Sequence, residues 1–173
     1  MIMKRMFDET EFLSDYGIRT LSKYHKEHPY KFNYEGGTLQ VDYTPAESTG
    51  SMFGGNSNWR GPIWFPMNYL ILDSLSKFSD YYGSDYEVEF PTNSGNMVNI
   101  KDAAEGVSRR LLAMFVPNEK GVIPMYDGHE KLHGDSHLFF EYFDGDTGKG
   151  LGASHQTGWT GLISEIILQL HKK

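Results

Sequence analysis

The chain has 173 residues, with 16 Lys and Arg against 23 Asp and Glu, a formal charge of −7. That length suits one domain or a piece of a larger one, and 39% hydrophobic and 14% aromatic residues supply enough apolar material for a core. The acidic balance argues against nonspecific nucleic-acid binding, no apolar run approaches a membrane span, and zero cysteines remove disulfides, thiolate nucleophiles and Cys-based zinc sites together.

The opening Met1-Ile2-Met3-Lys4-Arg5-Met6-Phe7 has charge but no long apolar stretch behind it, so it does not read as a signal peptide, and a cytoplasmic location is expected. Residues 8–28 predict a loop and then a short helix around 18–25, ended by Pro29. Residues 31–34 and 38–43 alternate, and Glu35-Gly36-Gly37 between them predicts a hairpin. Residues 45–58, rich in Gly, Ser and Asn, predict a loop. From Pro62, where a helix can start, Ile63, Trp64, Met67, Leu70, Ile71, Leu75 and Phe78 recur at spacings of three and four. They form one stripe on a long helix over 62–82, ended by Gly83.

Residues 86–90 predict a strand paired with 97–100 across a turn. Asn99 is placed to cap a helix over 101–115, with Asp102 near its positive end and Pro117 beyond it. Residues 121–126 predict a short strand, 129–137 a polar loop, and 144–154 a Gly-rich loop. A last amphipathic helix over 156–171 carries Trp159, Leu162, Ile163, Ile166, Ile167 and Leu170, with Lys172 and Lys173 suiting its negative end. The fold class is therefore mainly α with small β-hairpin insertions. Three striped helices must bury their faces, which suits a segment of a larger helical layer structure.

The loops before two of these helices hold the chemistry. Around Pro62, two indoles and a guanidinium cluster in Trp59-Arg60-Gly61-Pro62-Ile63-Trp64, and Glu141 is an acid within aromatics in Phe140-Glu141-Tyr142-Phe143. Gln156 and Trp159 lead into the last helix. Aromatic faces stack on sugar rings, planar amides and guanidinium groups bind paired hydroxyls, and a carboxylate among aromatics is expected to be a better base. Each residue also has a plainer reading: Trp64 and Trp159 as core aromatics, Glu141 as a solvated or capping acid, Arg60 as a salt-bridge partner.

Other chemistries fit poorly. His129, His133 and His137 recur every four residues, but Gly128 and Gly134 weaken any helix there, so loop histidines are expected and no metal site. Asp144-Gly145-Asp146-Thr147-Gly148 has His155 where a calcium loop needs Glu, and Gly148-Lys149-Gly150-Leu151-Gly152-Ala153 lacks the strand context of a dinucleotide site. No cofactor is expected.

Two long segments are similar to a known family. Gly55-Asn56-Ser57-Asn58-Trp59-Arg60-Gly61-Pro62-Ile63-Trp64 resembles a signature of glycoside hydrolase family 63. Phe139-Phe140-Glu141-Tyr142-Phe143 with residues 148–160 resembles its closing motif, and residues 8–19 resemble a segment of bacterial members. The resemblance implies that residues 1–173 are the C-terminal portion of an (α/α)6 toroid acting on α-linked glucosides or mannosides with inversion. By the same resemblance Glu141 matches the general base. Trp59, Arg60, Trp64, Gln156 and Trp159 match positions that hold the sugar. The family's general acid lies on an earlier segment, so the chain would supply the base side. A carbohydrate substrate is implied, with a missing N-terminal half or self-association as protein partner. The alternative is a non-catalytic remnant or split-enzyme subunit that binds carbohydrate or a partner chain.

Overall fold

A computed structural model of the chain describes residues 2–50, 58–128 and 137–171. In chain order come α1 (Ile2–Met6), β1 (Leu13–Ser14), β2 (Gly17–Ile18), β3 (Tyr30–Tyr34), β4 (Gly37–Val41), α2 (Phe65–Tyr82), β5 (Glu87–Glu89), β6 (Met97–Asn99), α3 (Ile100–Ala113), β7 (Tyr142–Phe143), β8 (Gly150–Leu151), α4 (Thr157–Thr160) and α5 (Ile163–His171). The strands form four antiparallel pairs, each joining neighbours in sequence. The described chain is thus a set of helices with small hairpins.

The centre of the core is α3. Asn99 accepts a hydrogen bond from the Asp102 backbone N–H at 2.9 Å, the capping the sequence predicts. Ile100, Ala103, Val107 and Leu111 on one face are fully buried between α2 and α5. Each large one contributes about 1.5–3 kcal/mol of burial. The β3–β4 and β5–β6 hairpins form where the alternation predicts them, Phe32 facing Leu39 and Val88 facing Val98.

Five expectations need correction. The long helix begins at Phe65, with Pro66 in its first turn, because residues 62–64 are extended and Ile63 bridges both Arg19 and Phe143. Its single predicted stripe is two faces. Leu72 and Leu75 are buried, whereas Met67, Leu70 and Phe78 are 41%, 58% and 47% exposed. Residues 18–25 are not a helix: Ile18 is in β2, Arg19 joins the Ile63 bridge, and only a 3-10 turn, Lys23–Lys26, follows. The strand expected over 121–126 is a 3-10 turn, Pro124–Tyr126. The last helix is two pieces separated at Gly161 and Leu162, with the buried Thr160 hydroxyl bonded to the Phe140 carbonyl.

Buried polar groups tie the segments around the site. Asn68 of α2 is fully buried, accepts the Ile18 N–H at 2.8 Å and donates to the carbonyls of Ile18 and Trp64 at 2.9 and 3.1 Å. The Ile63 and Phe143 backbones exchange two hydrogen bonds, of 2.8 and 3.0 Å. Arg19, Ile63 and Phe143 thereby form a seam joining the start, middle and end of the chain.

Candidate functional site

Glu141 directly precedes β7. Its N–H donates to the Ala153 carbonyl at 2.9 Å, and its carboxylate accepts the Ala153 N–H at 3.0 Å. The side chain is therefore fixed across the hairpin by backbone, in a half-buried position. The glycines opposite make the space. Gly152 has φ +70°, and a Cβ there would lie 2.7 Å from the Glu141 Oε2 and 2.8 Å from the Tyr142 ring. A side chain at 152 would displace the acid.

Tyr142 carries the site into the aromatics. Trp64 is fully buried and stacks on Trp59 (4.2 Å between centroids, 4° between planes) and on Tyr142 (4.9 Å, 18°). Trp159, half-buried on α4, leans on Trp64 at 5.3 Å and 54°. The Trp64 Nε1–H is satisfied by the Asn58 carbonyl at 2.9 Å. The structure thus brings Trp59, Trp64 and Trp159 together and couples them to Glu141 through Tyr142, a residue the sequence reading passed over. Trp64, at 0% exposure, is the core of the stack and offers no face to a ligand, whereas Trp59 is 40% exposed.

Arg60 follows the plainer of its two sequence readings, as a salt-bridge partner. Its guanidinium is buried and bonds Asp42 at 3.0 Å and the hydroxyls of Ser48 and Thr49, each at 3.4 Å. It holds the chain rather than presenting donors to a sugar. Asn58, 1% exposed, does related work. It donates to the carbonyls of Thr44 and Ala46 at 2.7 and 2.5 Å and accepts the Arg60 N–H at 3.0 Å. Together they fasten residues 42–50 as a strap whose Ala46 packs on the cluster of Trp64, Tyr142 and Leu151. Gln156 is the N-cap of α4, its carbonyl accepting the N–H groups of Trp159 and Thr160, both at 3.1 Å. Asn56 and Ser57 of the same motif, and His129 and His133, lie outside the described residues.

Below the hairpin sits a second polar centre the sequence did not reveal. One Asp146 oxygen accepts from Arg19 at 3.2 Å, Lys23 at 3.1 Å and the Tyr43 hydroxyl at 2.9 Å. Burial alone would raise the Asp146 pKa, but the hydrogen bonds from Lys23 and Tyr43 and the two cations outweigh it and hold the carboxyl below its ordinary range. Tyr43 is pushed far up, chiefly by burial. The Tyr142 phenol is pushed up to about 12, first by burial and then by the negative charges of Glu47 and Glu141.

Two apolar cavities, of about 490 and 580 Å³, run along α1 and α2, sharing Ile2, Met6, Met67 and Ile71. Trp59 lines the first; Glu141, Gln156 and Trp159 line neither. The first groove along α2 thus reaches the aromatic cluster through Trp59, which stacks on Trp64. Among the described residues no group of three His, Asp or Glu is arranged to hold a metal, and no helix is long and apolar enough to cross a membrane.

Comparison with known proteins adds a family. Residues 1–160 match the mannosylglycerate hydrolase MGH1-like glycoside hydrolase domain. Over 96% of this chain, YMR196W of Saccharomyces cerevisiae is 53% identical and a probable mannosyl-oligosaccharide glucosidase of Schizosaccharomyces pombe 29%. Over 89% of the chain, alpha-glucosidase 2 of Arabidopsis thaliana is 30% identical. The chain spans only 16%, 15% and 14% of the length of these relatives, respectively.

Proposed function

From its membership of the mannosylglycerate hydrolase MGH1-like glycoside hydrolase family, which the motifs resembling glycoside hydrolase family 63 anticipated, we propose that this chain carries the general-base half of an inverting α-glycosidase. Glu141 takes a proton from the water that attacks the anomeric carbon, and a carboxylic acid outside these residues protonates the departing oxygen. Inverting pairs stand about 6.5–9.5 Å apart, so the two groups sit on opposite walls and can come from distant parts of a chain. The (α/α)6 toroid is the frame in which those walls would meet. The substrate class is an α-glucoside or α-mannoside, with Trp59 and Trp159 as stacking walls and Gln156 beside them.

The observation that carries this reading is the fixing of Glu141 by the Ala153 N–H at 3.0 Å next to a Tyr142 ring stacked on Trp64. A base needs its oxygen held before the water arrives, and an aromatic floor needs to lie beside it. Cleavage by two carboxyls and water calls for no cofactor. The reading includes a cytoplasmic setting, which zero cysteines suit.

The test uses a leaving group that departs without protonation. With α-glucosyl fluoride the isolated chain should release glucose, and proton NMR should show the β anomer first. Glu141→Gln should lower kcat by about 10²–10⁴-fold. Ordinary α-glucosides should be bound but not cleaved. Release of the α anomer, or full activity of Glu141→Gln, would sink the proposal.

A further inference from the structure

The backbone that leads into Glu141 is held by one short helix. The Phe139 carbonyl accepts the Gln156 N–H at 2.5 Å, and the Phe140 carbonyl accepts the Thr160 hydroxyl. Gln156 is the N-cap of α4 and Thr160 its last residue. The Phe140 carbonyl and the Glu141 N–H belong to one planar peptide unit, whose N–H end is held by the Ala153 carbonyl at 2.9 Å. That unit is therefore fixed at both ends, by α4 on one side and by Ala153 on the other. The Glu141 side chain leaves the backbone directly beyond it, and its carboxylate accepts the Ala153 N–H at 3.0 Å. Thr160 is 0% exposed and Phe140 2%. A valine would fill the same space without a hydroxyl to satisfy, but it would leave the buried Phe140 carbonyl one donor short.

We propose that Thr160 is a positioning residue for the base: its hydroxyl sets the peptide plane from which Glu141 projects, and with it the point where the carboxylate meets the attacking water. This rests on the reading of Glu141 as the base. Three features support it. The bond reaches across 20 positions of sequence to the residue adjoining Glu141. Trp159, the residue before Thr160, leans on Trp64 at 5.3 Å, so adjacent side chains of α4 place an aromatic of the sugar site and the peptide unit of the base. The acid is also crowded by the turn opposite, where a Cβ at Gly152 would lie 2.7 Å from the Glu141 Oε2, so little free space absorbs a shift on that side. A catalytic group works only near its productive geometry, and a misplacement of about 1 Å can cost about 10²-fold in rate. Thr160 moves no proton and meets no substrate in this scheme; it acts through Glu141.

The experiment is kinetic, on the 173-residue chain with α-glucosyl fluoride, at a temperature where circular dichroism shows each variant folded. Thr160→Val keeps the shape and removes the hydroxyl. It should lower kcat about 10- to 100-fold, with KM within about three-fold. Thr160→Ser restores the hydroxyl and should return kcat to within about three-fold of the wild type. Thr160→Cys, with its weak S–H donor, should fall between the two, and it carries the test if the valine variant does not fold. Leu111→Ala weakens the fold through a cavity under α3 and should keep kcat within about two-fold. An unchanged kcat in Thr160→Val or Thr160→Cys would overturn the proposal, while a kcat loss in Glu141→Gln keeps the base in place. A serine variant as slow as the valine one, or an equal kcat loss in Leu111→Ala, would also overturn it, by making the effect one of packing or stability alone. A rise in KM at constant kcat would do the same, by making Thr160 a binding determinant. If Glu141→Gln keeps full activity, or the wild-type chain does not turn over the fluoride, both readings fall together.

Discussion

α3 and the hairpin that carries Glu141 are held by opposite means. α3 is capped by its own Asn99 and stays in place because one face of apolar residues is covered. The hairpin has two-residue strands and little regular structure. It is held by polar groups from distant positions, with Asp146 bonded to Arg19 127 residues away. Helices can be assembled from nearby contacts and tolerate shape changes gradually. A site built from turns depends on each hydrogen bond being made, since a buried polar group left without its partner costs about 1–3 kcal/mol.

The largest expected effect breaks the polar side of that contrast. Arg19→Met should cost about 3 kcal/mol or more in urea unfolding, because the Arg19 side chain is 5% exposed and its loss removes one of the two cations at Asp146, the donor to the Tyr43 hydroxyl and the bond to the buried Leu13 carbonyl. A loss below about 1 kcal/mol would show that the polar centre is dispensable.

Next comes the apolar side, where two leucines test the two faces of the helical layer. Leu111→Ala in α3 should cost about 3 kcal/mol, as a fully buried leucine replaced by a cavity. Leu70→Ala in α2, 58% exposed, should change stability by less than about 0.5 kcal/mol in this chain. Equal effects in thermal or urea unfolding would mean that the exposed face of α2 is covered in solution.

The smallest expected effect is on pH dependence. Asp146 has a folded pKa below its unfolded value of 3.8, so between those two values the unfolded chain binds more protons. Its contribution is complete above the ordinary aspartate range and is lost as pH falls through the lowered folded pKa. Asp146→Asn should flatten the acid limb of a stability-against-pH curve and leave the limb above neutrality unchanged. An unaltered acid limb would show that the carboxylate is not stabilised in the fold.

How much of this was legible in the sequence follows the same division. The stripe on α3, the Asn99 cap and the β3–β4 turn are local signals, and they appear where the spacing put them. The break at Gly161 is invisible to periodicity because Trp159 and Ile163 stay four apart across it, while the Thr160 bond to Phe140 that accompanies it is non-local. The motifs put Trp59, Trp64 and Trp159 near one another, and their rings do meet, while Glu141 adjoins them through its chain neighbour Tyr142, which stacks on Trp64. That Arg60 is a salt-bridge partner was one of its two sequence readings, but its partners were not legible, because Asp42, Ser48 and Thr49 reach it through folding of the strap. Tyr142 was hidden by its neighbours: in a run of aromatics, only the pleat decides which ring meets Trp64.

The seam of Arg19, Ile63 and Phe143 sets an order of events. Its bridges close long loops of the chain, and loop closure costs entropy before any contact repays it. The helices can consolidate early, from contacts near in sequence, while the seam must wait for the final hairpin to be made. The hairpin that carries Glu141 would therefore mature late, and under stress be among the first parts to come undone.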